Sequence, residues 1–181
     1  MEILNKLSKL KEESISRGIP ILKRSNAELL LNKVKELQPK RILELGTANG
    51  YSGCILGSEG AELVTIESDK IIASEAIENF RKHGINARLI VGDGVEEVKN
   101  LVDTQAQSKH NSFDLIFIDF MKRKYIEVLE DCIHLCTKGG VIIADNIDNE
   151  KCADFLRKVT SDKRLDTNIS HGMSVSRVAD K

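Results

Sequence analysis

Apolar residues recur along this chain in two rhythms. Near the N-terminus Ile3, Leu4, Leu7 and Leu10 are spaced by one, three and three, and Ala27, Leu30, Leu31, Val34 and Leu37 continue a similar spacing up to Pro39. That spacing lines up one face of a helix, so an accessory helix is expected over 1–18, closed by Gly18 and Pro20, and a second one before Pro39. From residue 41 short apolar runs take over: "RILELG" (41–46), "ELVTIES" (62–68), "ARLIVG" (87–92), "FDLIFID" (113–119) and "GVIIAD" (140–145). Runs of this length bounded by turn residues read as strands. Amphipathic stretches at about 52–58, 70–83, 94–102, 122–136 and 150–160 separate or follow them. Strand and helix in alternation predict an α/β fold, a mainly parallel sheet with helices on both faces. The last 17 residues, "LDTNISHGMSVSRVADK", predict two further strands joined at His171-Gly172, an antiparallel hairpin appended to the sheet. The polar stretch 103–112 is expected to be a flexible loop.

Composition narrows the class. A chain of 181 residues, 41% hydrophobic and 30% charged, is sized for one soluble domain over 1–181. Its 27 Lys plus Arg nearly balance 28 Asp plus Glu, so no excess positive field points to nucleic acid or an anionic membrane. The apolar runs fall short of the ~18 residues of a membrane span, and the N-terminus has no secretory pattern, so a cytoplasmic location is expected. The four cysteines form no C-x-x-C pair. On a helix His134 faces away from Cys132 and Cys136, which argues against zinc and for reduced, apolar cysteines.

In an open parallel sheet ligands bind beyond the carboxyl ends of the strands, and the polar residues with chemical potential fall there. "ELGTANGYSG" follows the first strand, with Gly46 and Gly50 in G-x-x-x-G spacing. Alone it is either a cofactor loop or a plain strand-to-helix turn. Glu67, ending the second strand, is placed to accept hydrogen bonds from two vicinal ribose hydroxyls. Asp93, ending the third, is placed for an adenine amino group and equally to cap the following helix. Together they imply an adenosyl cofactor. A nicotinamide dinucleotide would use the same ribose acid, but Glu44 and the missing third glycine lean away from an anionic pyrophosphate.

Asp119 ends the fourth strand, and Asp145 with Asn146 ends the fifth. Adjacent strands lie ~5 Å apart, so these three oxygen-bearing side chains can converge on one point. Two carboxylates and an amide make a hard site suited to magnesium. Three residues beyond Asp119 stands Lys122, and three beyond that Tyr125.

With these residues in view, the chain resembles the cation-dependent O-methyltransferases of the catechol and caffeoyl-CoA type, within the class I S-adenosylmethionine-dependent fold. The likeness runs over about residues 19–178 and rests on "LELGTANGYS", "IES", "GD", "FDLIFIDFMKRKY", "ADN" and "GMSVSRV". It implies a Rossmann-like seven-stranded sheet and S-adenosylmethionine as cofactor. By this resemblance Glu44, Gly46, Gly50, Tyr51 and Ser52 line the methionine end, Glu67 holds the ribose, and Asp93 with Gly94 holds the adenine. Phe120 is expected to stack on the adenine beside Asp119. Asp119, Asp145 and Asn146 become ligands of Mg2+ or another divalent cation, Lys122 the catalytic base, and Tyr125 a support for the loop. Met121 departs from the aromatic or histidine side chains usual just after the metal-binding aspartate.

The implied reaction moves an activated methyl group to a hydroxyl of a small molecule with vicinal oxygens. The metal acidifies that hydroxyl and Lys122 takes its proton. Two other readings stay open: a hydroxylated nucleoside of transfer RNA as acceptor, and a cofactor-binding module without catalysis. A homodimer is implied by the resemblance, with the apolar face of residues 3–10 as a dimer contact or a lid.

Overall fold

The apolar runs form the strands of one sheet in the computed structural model, which describes residues 2–105 and 112–179. In chain order the strands are β1 (Arg41–Leu45), β2 (Glu62–Glu67), β3 (Ala87–Val91), β4 (Phe113–Ile118), β5 (Cys136–Ala144), β6 (Leu165–Ser170) and β7 (Met173–Val178). They lie in the order β3-β2-β1-β4-β5-β7-β6. β1 to β5 are parallel, and β7 and β6 pair antiparallel, as the hairpin pattern predicts. The hairpin turns at His171 (φ +54°) and Gly172 (φ +73°), the two positive φ values that a tight two-residue connection needs.

The helices are α1 (Glu2–Lys6), α2 (Ser8–Ser16), α3 (Arg24–Leu37), α4 (Tyr51–Leu56), α5 (Lys70–His83), α6 (Gly94–Gln105), α7 (Tyr125–Leu135) and α8 (Ala153–Ser161). Period-two alternation divides the sheet between two cores. On β4, Leu115 and Phe117 pack with α3 and α4 residues such as Leu30, Leu31 and Ile55. Ile116 and Ile118 face the other side, where α6, α7 and α8 contribute Val98, Val128, Leu129, Phe155 and Val159. Parallel strands covered on both faces account for the continuous apolar runs.

Three boundaries differ from expectation. The accessory helix is bent at Leu7 into α1 and α2, although hydrogen bonds run on through the bend from Leu7 N to Ile3 O and from Lys11 N to Leu7 O. Leu7 and Leu10 are buried in this chain's own core, so that part of the expected lid or dimer face is already covered. β5 starts at Cys136 rather than 140, because Phe113 pairs with Cys136 before the register jumps to Leu115 against Val141, with Gly139 at φ +73° in the bulge. α6 runs to Gln105, into the expected loop, and 106–111 lie outside the described residues.

What matters for chemistry is the register. Leu45 stands opposite Ile118, and Ile118 opposite Ala144. The next residue on each strand, Gly46, Asp119 and Asp145, therefore forms a row across the sheet end. Asp119 N bonds Leu45 O at 2.8 Å and Asp145 N bonds Ile118 O at 3.1 Å. The row sits where the strand order reverses between β1 and β4, the topological switch point of such sheets.

Candidate active site

A cleft of about 490 Å3 opens over this row. Its walls include Gly46, Tyr51, Ser52, Glu67, Asp93, Gly94, Asp119, Phe120, Lys122, Asp145 and Asn146, all expected from the sequence. Gly46 is required by close approach: a Cβ there would lie 2.2 Å from the Asp119 carbonyl oxygen, and its φ of +96° is open to glycine. The loop after it is held by side chains beneath. Ala48 N donates to Glu67 Oε2 at 2.9 Å, and the Thr47 and Thr65 hydroxyls are 2.5 Å apart.

Two expected cleft residues stand behind the loop instead. Glu44 is fully buried, accepting from Ser52 Oγ at 2.5 Å and Thr65 Oγ1 at 2.6 Å. Both carboxylate oxygens are thereby engaged, and the side chain is not among the cleft walls. Burial pushes its pKa up to about 8, against the two hydroxyl donors. Gly50, at φ +90°, packs on α5, where an added Cβ would meet Phe80 at 3.0 Å and Ala76 at 3.3 Å. Both residues shape the loop from below.

Lys122 opens a 3-10 turn, Lys122–Lys124, directly ahead of α7. Its Nζ donates to Asp119 Oδ1 and, at 2.9 Å, to the Tyr125 hydroxyl. Tyr125, fully buried, donates in turn to the Asp145 carbonyl oxygen at 3.1 Å. Its ring stacks on Phe120 at 5.6 Å and meets Phe155 edge-on at 5.4 Å. Burial, followed by the Asp119 charge, raises the tyrosine pKa far above its ordinary value, so the hydroxyl stays protonated and acts as a fixed connector. The aspartate, lysine, tyrosine and second strand end are thus linked in one chain of hydrogen bonds.

Asp145 is buried, and its pKa is raised first by burial and then by the Asp119 charge. Asn26 Nδ2 donates to its Oδ1 at 2.6 Å. Sequence reading passed over Asn26, a buried amide one helical turn before Leu30 on the apolar face of α3; its polarity within that stripe was the available signal. Asn146, at φ +55°, turns the chain after β5. Among the described residues no three His, Cys, Asp or Glu side chains gather as a metal group, which leaves two carboxylates and an amide oxygen. That donor set fits magnesium, and a dication held there would offset the Asp119 charge, the second cause of the raised Asp145 pKa after burial.

At the far end Asp93 caps α6, its Oδ1 accepting from Val95 N at 2.9 Å, and its Oδ2 accepts from Lys124 Nζ at 2.7 Å. Phe120 lies against Gly94, where a Cβ would come within 3.0 Å of the ring. Pro20, Ile21, Leu22 and Lys23, just before α3, complete the wall and were not anticipated.

Residues 1–171 match the profile of the O-methyltransferase family. The chain belongs to that family. A catechol O-methyltransferase of Niastella koreensis is 33% identical over 115 residues, 61% of this chain and 50% of that protein. Catechol O-methyltransferase B of Danio rerio is 31% identical over 145 residues, 75% of this chain and 53% of that protein. The chain thus matches about half the length of these O-methyltransferases. In fold it is similar to the O-methyltransferase of Bacillus cereus solved in complex with S-adenosylhomocysteine, with a TM-score of 0.78 at 23% identity over 96% of this chain and 90% of that one. The expected Rossmann-like methyltransferase architecture is borne out, and no helix among the described residues is long and apolar enough to cross a membrane.

Proposed function

We propose that this chain methylates a hydroxyl of a small molecule carrying vicinal oxygens, with S-adenosylmethionine as donor and a divalent cation, Mg2+ or a close substitute, as partner. The observation that carries the reading is the linked set Asp119, Lys122, Tyr125 and Asp145 at the strand ends, with Lys122 Nζ between a carboxylate and a fixed phenol. Membership of a family with catechol O-methyltransferases among its matched relatives supports the same reaction.

Asp119, Asp145 and Asn146 would hold the cation, which when bound lowers the pKa of an acceptor hydroxyl. Lys122 would accept the hydroxyl proton at Nζ. Gly46, Tyr51 and Ser52 would receive the methionine end of the cofactor, Glu67 its ribose and Asp93 with Gly94 its adenine. The donor's sulfonium methyl is already activated, so the residues act mainly by alignment and by taking one proton.

Methyl transfer from labelled S-adenosylmethionine to catechol, with magnesium and then with a chelator, tests the proposal in wild type and Lys122→Ala. Transfer that needs both the metal and Lys122 is expected. Transfer that persists with a chelator present, or in the alanine variant, overturns the metal and base assignments respectively.

A further inference from the structure

The ion pair between Lys124 and Asp93 is not accounted for by metal binding or proton transfer. It joins the turn that begins with Lys122 to the corner between β3 and α6, and both residues line the cleft. The side chains are 25% and 40% exposed, so the pair stands at the cleft wall and remains open to a ligand. Asp93 Oδ1 is spent on capping α6, through Val95 N at 2.9 Å and more weakly Glu96 N at 3.4 Å. Oδ2 carries Lys124 Nζ at 2.7 Å and, as a carboxylate oxygen, has capacity for a second donor. The ammonium has three donors, of which Asp93 uses one.

The pair therefore presents an acceptor and a donor side by side, as the amide of Asn or Gln does. An adenine edge presents the complement, an amino donor beside a ring-nitrogen acceptor, which is how such amides read adenine. Phe120, lying against Gly94, supplies an aromatic surface next to the pair. We propose that Lys124 and Asp93 read the adenine of the cofactor as one unit, Asp93 Oδ2 accepting from the amino group while Lys124 Nζ donates to an adjacent ring nitrogen. Lys124 is then a cofactor-binding residue that selects adenine. This inference rests on the cofactor assignment above.

Isothermal titration with S-adenosylhomocysteine and its 1-deaza and 7-deaza analogues, in which a ring nitrogen is replaced by C–H, tests it without any acceptor or turnover. Wild type is expected to bind one of the two analogues roughly tenfold more weakly than the parent, the scale of one charge-assisted hydrogen bond. Lys124→Met should weaken the parent by a similar factor and bind that analogue no worse than the parent, while Lys124→Arg keeps the discrimination. Equal binding of all three ligands by wild type overturns the proposal. So does a Lys124→Met variant that matches wild type, or one that weakens all three ligands equally, as general loosening of the turn would. A wild-type chain that binds none of them defeats the cofactor assignment itself, and the two failures are thereby told apart.

Discussion

The Asn26 amide donates a 2.6 Å hydrogen bond to Oδ1 of Asp145, which lies 119 residues further along the chain. It ties the first turn of α3 to the end of β5 and orients one of the two carboxylates of the proposed cation site. Removing the donor leaves a buried carboxylate oxygen short of a partner, at a cost of roughly 1–3 kcal/mol. Asn26→Ala should accordingly lower the melting temperature. With Asp145 as the proposed cation ligand, and because groups that orient metal ligands typically matter about tenfold or more in affinity, it should also raise the magnesium concentration for half-maximal turnover. A lower melting temperature with unchanged magnesium dependence would reduce Asn26 to a packing role.

Tyr125→Phe removes the hydroxyl between Lys122 Nζ and the Asp145 carbonyl but keeps the ring on Phe120 and Phe155. Lys122 then keeps Asp119 and the face of the residue-125 ring but loses its second hydrogen bond. Turnover is expected to fall on the order of tenfold, the effect of misplacing the proposed general base, with cofactor affinity within about twofold of wild type. Parallel measurement of kcat and of S-adenosylhomocysteine binding separates this from a general loss of structure.

Glu44 supplies a pH dependence of stability. Its folded pKa of about 8 lies above the ordinary value of 4.5. Below pH 4.5 both folded and unfolded forms hold the proton and its contribution is complete; as pH rises toward 8 the unfolded chain ionises first, so stability is lost across that window. Wild type should therefore lose melting temperature relative to Glu44→Gln between about pH 5 and 8. A difference between the two proteins that stays constant over that range would show that Glu44 titrates normally.

Gly46→Ala forces a Cβ to within 2.2 Å of the Asp119 carbonyl at a φ of +96°. The clash is with backbone, which has no rotamer to yield, so β1 and β4 would have to separate at the row that carries the site. Loss of more than about 2 kcal/mol of stability and of detectable methyl transfer is expected, by chemical denaturation and activity assay. Gly60→Ala, at a positive φ but with nothing within 4 Å of its Cβ, is the control for backbone strain alone.

Much of the sheet was legible because parallel strands buried on both faces write themselves as continuous apolar runs. Asp119 and Asp145 could be placed because each follows such a run directly and register then aligns their ends, with Asn146 one residue further on. The position of Glu44 was not legible for a related reason: it precedes the glycine loop in the chain, but strand alternation turns its side chain under the loop, to Ser52 and Thr65. The partners that lie far along the chain from the site residues were not legible. Lys124 meets Asp93 across 31 residues and Asn26 meets Asp145 across 119, and no local spacing encodes such encounters.

The sequence by itself determined the strands, the hairpin and the acids that end the strands, since hydrophobic periodicity and turn chemistry are local properties. Only the tertiary structure decided which of those acids face the cleft, which are sealed beneath it, and which amide or ammonium each one meets. Those outcomes depend on how helices and loops distant in sequence pack over the sheet end, where burial and hydrogen-bond satisfaction are settled among groups that the chain order keeps apart.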